Sequence, residues 1–125
     1  MCHVLIIEDE PLIAMDIEYL LAREGATSFA FANSEQDAVD LAFERRPDLI
    51  TSDVSLLEGT GPAAVATILT RLGPIPVLFI TATPDACIPC APPGEVLRKP
   101  LNPSAIKQAY QELSSPGAFT ASRAH

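Results

Sequence analysis

The sequence predicts an α/β domain built on a parallel sheet of five strands. Short apolar runs alternate along the chain with stretches whose apolar residues recur at helical spacing, which is the pattern of βαβ units. The runs are apolar at consecutive positions, as strands covered on both faces must be. A polar residue stands just after several of them: Glu8 with Asp9, then Asp53, Thr81 and Lys99. In an open parallel sheet the carboxyl ends of the strands share one edge, and ligands bind there. Three carboxylates, a hydroxyl and an ammonium are therefore expected in one crevice.

The first strand is His3 to Ile7. Pro11 suits a first helical turn, and Ile13, Ile17, Leu20 and Leu21 recur on one face of a helix that stops at Gly25. Thr27 to Ala32 reads as the second strand. Asn33 or Ser34 then caps a helix whose Ala38, Leu41 and Ala42 face the sheet until Pro47. The third strand is Leu49 to Ser52. Glu58 to Gly61 forms a turn, and Val65, Ile68, Leu69 and Leu72 make a third helix closed by Gly73 and Pro74. The fourth strand is Pro76 to Ile80. Where the alternation calls for another helix, Pro84, Pro89, Pro92, Pro93 and Gly94 intervene. Proline in a helix interior costs about 3 kcal/mol, so that helix is expected to be irregular or shortened. Glu95 to Arg98 is the fifth strand, and Pro103 to Leu113 a last helix with Ile106, Ala109, Tyr110 and Leu113 on its buried face. One domain over residues 1–113 and a flexible tail over 114–125 are expected.

Composition narrows the function. A 48% hydrophobic content excludes disorder as the main state, and no apolar run approaches the ~20 residues that span a bilayer. No membrane insertion is expected. Met1 leads directly into the first strand with no room for a secretory signal, so the expected location is cytoplasmic. A formal net charge of −8 disfavours nucleic acid and anionic lipid and favours cations and protein partners. The three cysteines suggest no disulfide framework. Cys87 and Cys90 form a C-x-x-C in a proline-rich stretch rather than at the start of a helix, and two thiolates leave zinc short of its usual four ligands even with Cys2 and His3 in the sequence. They read as loop cysteines.

Glu8 and Asp9 at one strand end, with Asp53 at another, repel one another unless a cation intervenes. Mg²⁺ suits them, as a hard ion that takes oxygen ligands and pairs carboxylates with phosphate. Taken singly, each residue has an ordinary reading: Glu8 and Asp9 as acids at a helix start, Asp53 as a turn residue, Thr81 as a strand former, Lys99 as a loop lysine. Their joint occurrence is what those readings explain poorly.

The segments Val4-Leu5-Ile6-Ile7-Glu8-Asp9-Glu10-Pro11, Asp48-Leu49-Ile50-Thr51-Ser52-Asp53, Val77-Leu78-Phe79-Ile80-Thr81-Ala82 and Leu97-Arg98-Lys99-Pro100 resemble the receiver domain of bacterial two-component response regulators. The resemblance runs from residue 3 to about residue 113 and looks closest to single-domain regulators of alphaproteobacteria. It implies a doubly wound, flavodoxin-like fold with strand order 2-1-3-4-5. It implies that Asp53 accepts a phosphoryl group from a sensor histidine kinase or a histidine phosphotransfer protein. It further implies that Asp9, Asp53 and the Ser55 backbone carbonyl ligate Mg²⁺, with Glu8 acting through bound water, and that Lys99 and Thr81 hold phosphoryl oxygens. The expected protein is a stand-alone switch rather than a turnover enzyme, signalling to an unidentified downstream protein by contact.

The pattern departs from the family at Val96, where receivers carry an aromatic residue that reports phosphorylation. A β-branched side chain has no ring to swing inward. A receiver-like binding module that signals without phosphorylation is therefore the alternative reading. An aspartate-based phosphatase is a weaker rival, because such enzymes carry a second aspartate where Ser55 stands.

Overall fold

The computed structural model describes residues 2–56, 58–82 and 94–114. Five strands, β1 (His3–Ile7), β2 (Ser28–Ala32), β3 (Leu49–Ser52), β4 (Val77–Thr81) and β5 (Gly94–Arg98), form one sheet in the order β2-β1-β3-β4-β5. Every neighbouring pair is parallel. Helices α1 (Pro11–Arg23), α2 (Glu35–Glu44), α3 (Gly61–Leu72) and α4 (Pro103–Ser114) cover it.

Alternation along the strands sorts the core into two layers. Leu5, Ile7, Ile50, Val77 and Phe79 pack with Ala38 and Ala42 of α2 and Val65 and Ile68 of α3. Val4, Ile6, Leu49, Leu78 and Ile80 point the other way, onto Ala14, Ile17 and Leu21 of α1 and Ile106, Ala109 and Tyr110 of α4. This two-sided burial is why β1 and β4 are apolar at consecutive positions, and it is the doubly wound arrangement expected.

Local chemistry moves several boundaries. β4 begins and ends one residue later than expected, so Thr81 is its last residue, paired with Arg98 of β5. The Ser34 hydroxyl accepts the Asp37 N–H and caps α2. That helix stops at Glu44, short of Pro47, because the residue before a proline is driven out of helical backbone, and Arg45 is already extended at φ −149°. The next side chain, Arg46, donates from its guanidinium to the Leu72 and Pro74 carbonyls at the end of α3. Gly61 is the first residue of α3 rather than part of the preceding turn, with the Thr60 hydroxyl accepting the Ala63 N–H. Cys87, Cys90, the proline-rich stretch over 83–93 and the tail over 115–125 lie outside the described residues.

Candidate functional site

The site grows out of the carboxyl edge of β1 and β3. The Glu8 N–H donates to the Ala32 carbonyl of β2 at 2.9 Å, and the Asp53 N–H donates to the Ile7 carbonyl of β1 at 2.9 Å. The ladders thus hold both acids at the point where the strand order reverses. On the far side, the Lys99 N–H donates to the Thr81 carbonyl at 2.8 Å, which ties the residue after β5 to the last residue of β4.

The side chains meet above this frame. Lys99 Nζ donates to Asp53 Oδ2 at 3.0 Å. It also lies 3.1 Å from Glu8 Oε1 and 3.8 Å from Glu10 Oε1. Asp53 Oδ1 accepts the Val54 N–H at 2.7 Å, and Glu8 Oε2 accepts the Glu10 N–H at 3.2 Å. Glu8 Oε1 is buried, and its approach to Lys99 is an ion pair without hydrogen-bond geometry. One oxygen each from Glu8, Asp9, Glu10 and Asp53 lies within 4.8 Å of the others.

Three carboxylates, those of Glu8, Glu10 and Asp53, share the Lys99 ammonium, and the electrostatics show it. Burial, and then the charge of Asp53, pushes the Glu8 carboxyl up to about 7 against the opposing pull of Lys99. Burial works against the Lys99 ammonium too, but the hydrogen bond to Asp53 and the close negative charges of Glu8 and Asp53 outweigh it and hold its pKa above the usual lysine value. An all-oxygen, anionic donor set with a buried carboxylate oxygen lacking a hydrogen bond fits a hard divalent cation.

Of the residues singled out in the sequence, Glu8, Asp9, Asp53 and Lys99 are brought together. Thr81 is buried at the end of β4, next to β3 in the sheet. Ser55 lies in the connection from β3 to α3, held by an antiparallel bridge to Thr60. Val96, opposite Phe79 in the register, is 38% exposed on the edge strand β5.

Two residues were not foreseen. Glu10 reaches Lys99 from the first turn of the loop before α1, and its only signal was adjacency to the acidic pair. Gly61 carries no charge, yet a Cβ there would stand 1.7 Å from the Asp53 carbonyl oxygen and 2.2 Å from Ser52 Oγ. Its N–H donates to the Val54 carbonyl at 2.9 Å, so the start of α3 lies directly on the backbone of Asp53. Only glycine permits that approach.

Comparison with known proteins agrees with this architecture. Residues 4–111 match the response regulator receiver domain. The chain is 37% identical over 113 residues to the phyllosphere-induced regulator PhyR of Methylorubrum extorquens, covering 88% of this chain and 42% of that protein. The chain thus spans less than half the length of that relative. The solution structure of the receiver domain of Erythrobacter litoralis PhyR superposes with a TM-score of 0.80 at 31% identity, covering 90% of this chain and 88% of that one. Brucella abortus PhyR superposes with a TM-score of 0.80 at 32% identity over 99% of this chain and 52% of that one. In sequence, strand order and the position of its acidic site, the chain belongs to the response regulator receiver domain family.

Proposed function

We propose that the protein is a phospho-accepting switch. An Asp53 carboxylate oxygen attacks the phosphorus of a phosphohistidine on a sensor histidine kinase or histidine phosphotransfer protein. The phosphorus–nitrogen bond breaks, its electron pair returns to the imidazole, and an aspartyl phosphate remains on Asp53. The observation that carries this reading is the Asp53 carboxylate, 3.0 Å from the Lys99 ammonium within a cluster that also holds Glu8 and Asp9.

In this reading Asp9, Asp53 and the Ser55 carbonyl hold Mg²⁺, with Glu8 acting through bound water, and the ion when bound supplies positive charge against the repulsion between anionic nucleophile and anionic donor. Lys99 moves its charge from the Asp53 carboxylate to a phosphoryl oxygen, and the Thr81 hydroxyl donates to another. Neither side chain turns over a free substrate, so the outcome is a modified protein rather than a released product. Output runs through contact with a downstream protein. Support comes from Bartonella quintana PhyR, 36% identical to this chain and described as an anti-anti-sigma factor.

Intact-mass analysis after incubation with phosphoramidate tests the reading. One added phosphoryl group that requires Mg²⁺ and disappears in Asp53→Asn is expected. A folded wild-type protein that gains no mass would overturn it in favour of a receiver-like module acting without phosphorylation.

A further inference from the structure

A cleft of about 430 Å³ adjoins the carboxylate cluster, between the first half of α1 and the junction of β2 with α2. Its apolar wall includes Met15 and Phe31, which are 60% and 46% exposed. Phe31 is steadied by stacking on Phe29, ring centroids 6.5 Å apart. All the charged residues that line the cleft are acids: Glu8, Asp9, Glu18 and Asp37. Apolar surface continues along α1, where Leu12, Met15 and Tyr19 recur at helical spacing and are exposed, while Ala14, Ile17 and Leu21 of the same helix are buried in the core. Among the described residues the core makes no use of that stripe, and Arg23 lies over the Tyr19 ring, 5.6 Å from its centroid.

We propose that the cleft takes a cationic, apolar segment of a protein partner, and that its occupancy opposes divalent-cation binding at the neighbouring cluster. An arginine beside an aromatic side chain matches both features, since a guanidinium is weakly hydrated, its stem is apolar and its charge answers the acidic rim. The chain's net charge of −8 steers such a segment inward and repels acidic ones. Opposition follows from shared residues: Glu8 and Asp9 line the cleft and also belong to the carboxylate cluster. A divalent ion that neutralises them weakens the attraction for a second cation, and by linkage the segment weakens the ion equally. The opposition rests on the Mg²⁺ reading above, whereas occupancy of the cleft does not.

N-acetyl-arginyl-phenylalanine amide, titrated into ¹⁵N-labelled full-length chain, is the probe. Saturable shifts are expected at the Met15, Glu18, Phe31 and Ala32 amides, with none from the glutamyl counterpart. Saturating Mg²⁺ is expected to weaken the peptide about tenfold. The double variant Glu18→Lys, Asp37→Lys, lying outside the carboxylate cluster, is expected to weaken it about tenfold while leaving Mg²⁺ shifts at Asp9 and Asp53 in place. Equal binding of the glutamyl peptide, shifts away from the cleft, or no effect of the double variant would overturn the cleft assignment. Unchanged peptide affinity while Mg²⁺ visibly shifts Asp9 and Asp53 would overturn the opposition alone. If Mg²⁺ shifts neither residue, the metal reading fails and takes the opposition with it, and the peptide shifts still decide the cleft.

Discussion

The two ends of the sheet treat polar side chains in opposite ways. At the amino end, the buried His3 donates its N–H to Asp48 Oδ2 at 2.8 Å and accepts the Asp48 N–H on its carbonyl at 2.7 Å. Its ring Nδ1 meets Ser28 Oγ at 2.8 Å. These contacts tie β1 to β2 and to the residue before β3. At the carboxyl end, Glu8, Asp9, Glu10 and Asp53 crowd together, the Lys99 ammonium pairs with Glu8, Glu10 and Asp53, and a buried carboxylate oxygen lacks a hydrogen bond. Like charges held together against their own repulsion mark a place prepared for something from outside. The same backbone frame serves both ends, so the difference lies in the side chains.

Removing the one cation should break the contrast most severely. Lys99→Met leaves Glu8 and Asp53 without their counter-charge, and a buried charge stripped of its partner costs about 3 kcal/mol. Urea unfolding of the metal-free variant should show that loss, and added Mg²⁺ should recover much of it. Next comes Gly61→Ala, whose methyl group would strike the Asp53 carbonyl. It should cost about 2 kcal/mol in the same measurement and slow phosphoryl addition as Asp53 shifts. At the amino end, Asp48→Ala deprives the buried His3 N–H of its acceptor. That should cost about 1 kcal/mol and leave phosphoryl addition unchanged.

The last contrast is one of sign. Glu8 keeps its proton in the folded state up to about 7, against 4.5 when unperturbed, so its contribution is full below 4.5 and is lost as pH rises through about 7. For His3 the direction reverses. Burial, then the charge of Arg45, lowers its pKa from 6.5 despite Asp48 and Ser28, so its contribution is full above 6.5 and is lost as pH falls through the lowered folded value. Thermal melts of metal-free protein should therefore lose the decline from pH 4.5 to about 7 in Glu8→Gln and the acid decline in His3→Gln. Mg²⁺ should suppress the first and leave the second.

Much of the carboxyl end was legible in the sequence because burial on both faces leaves little ambiguity in Val4 to Ile7 or Leu49 to Ser52, and the residue after such a run must sit at the sheet's edge. Lys99 and Asp53, 46 positions apart, could be placed together on that ground alone. Gly61 could not, since its role is a contact in space with the Asp53 carbonyl and a glycine beside a proline reads as a turn. The stop of α2 at Glu44 was missed because Pro47 acts on the backbone before it, and Arg46 gains partners on α3 that no local pattern reveals. The exposed stripe of Leu12, Met15 and Tyr19 was hidden by the core-facing stripe of the same helix, which satisfied the amphipathic pattern by itself.

Amide spectra of the ¹⁵N-labelled protein during a Mg²⁺ titration compare both ends in one experiment. Saturable shifts at Glu8, Asp9, Asp53, Val54, Ser55 and Lys99, with His3 and Asp48 unmoved, are the result predicted for a carboxyl end prepared for a cation and a phosphoryl group. A carboxyl end as indifferent to Mg²⁺ as the amino end would contradict it.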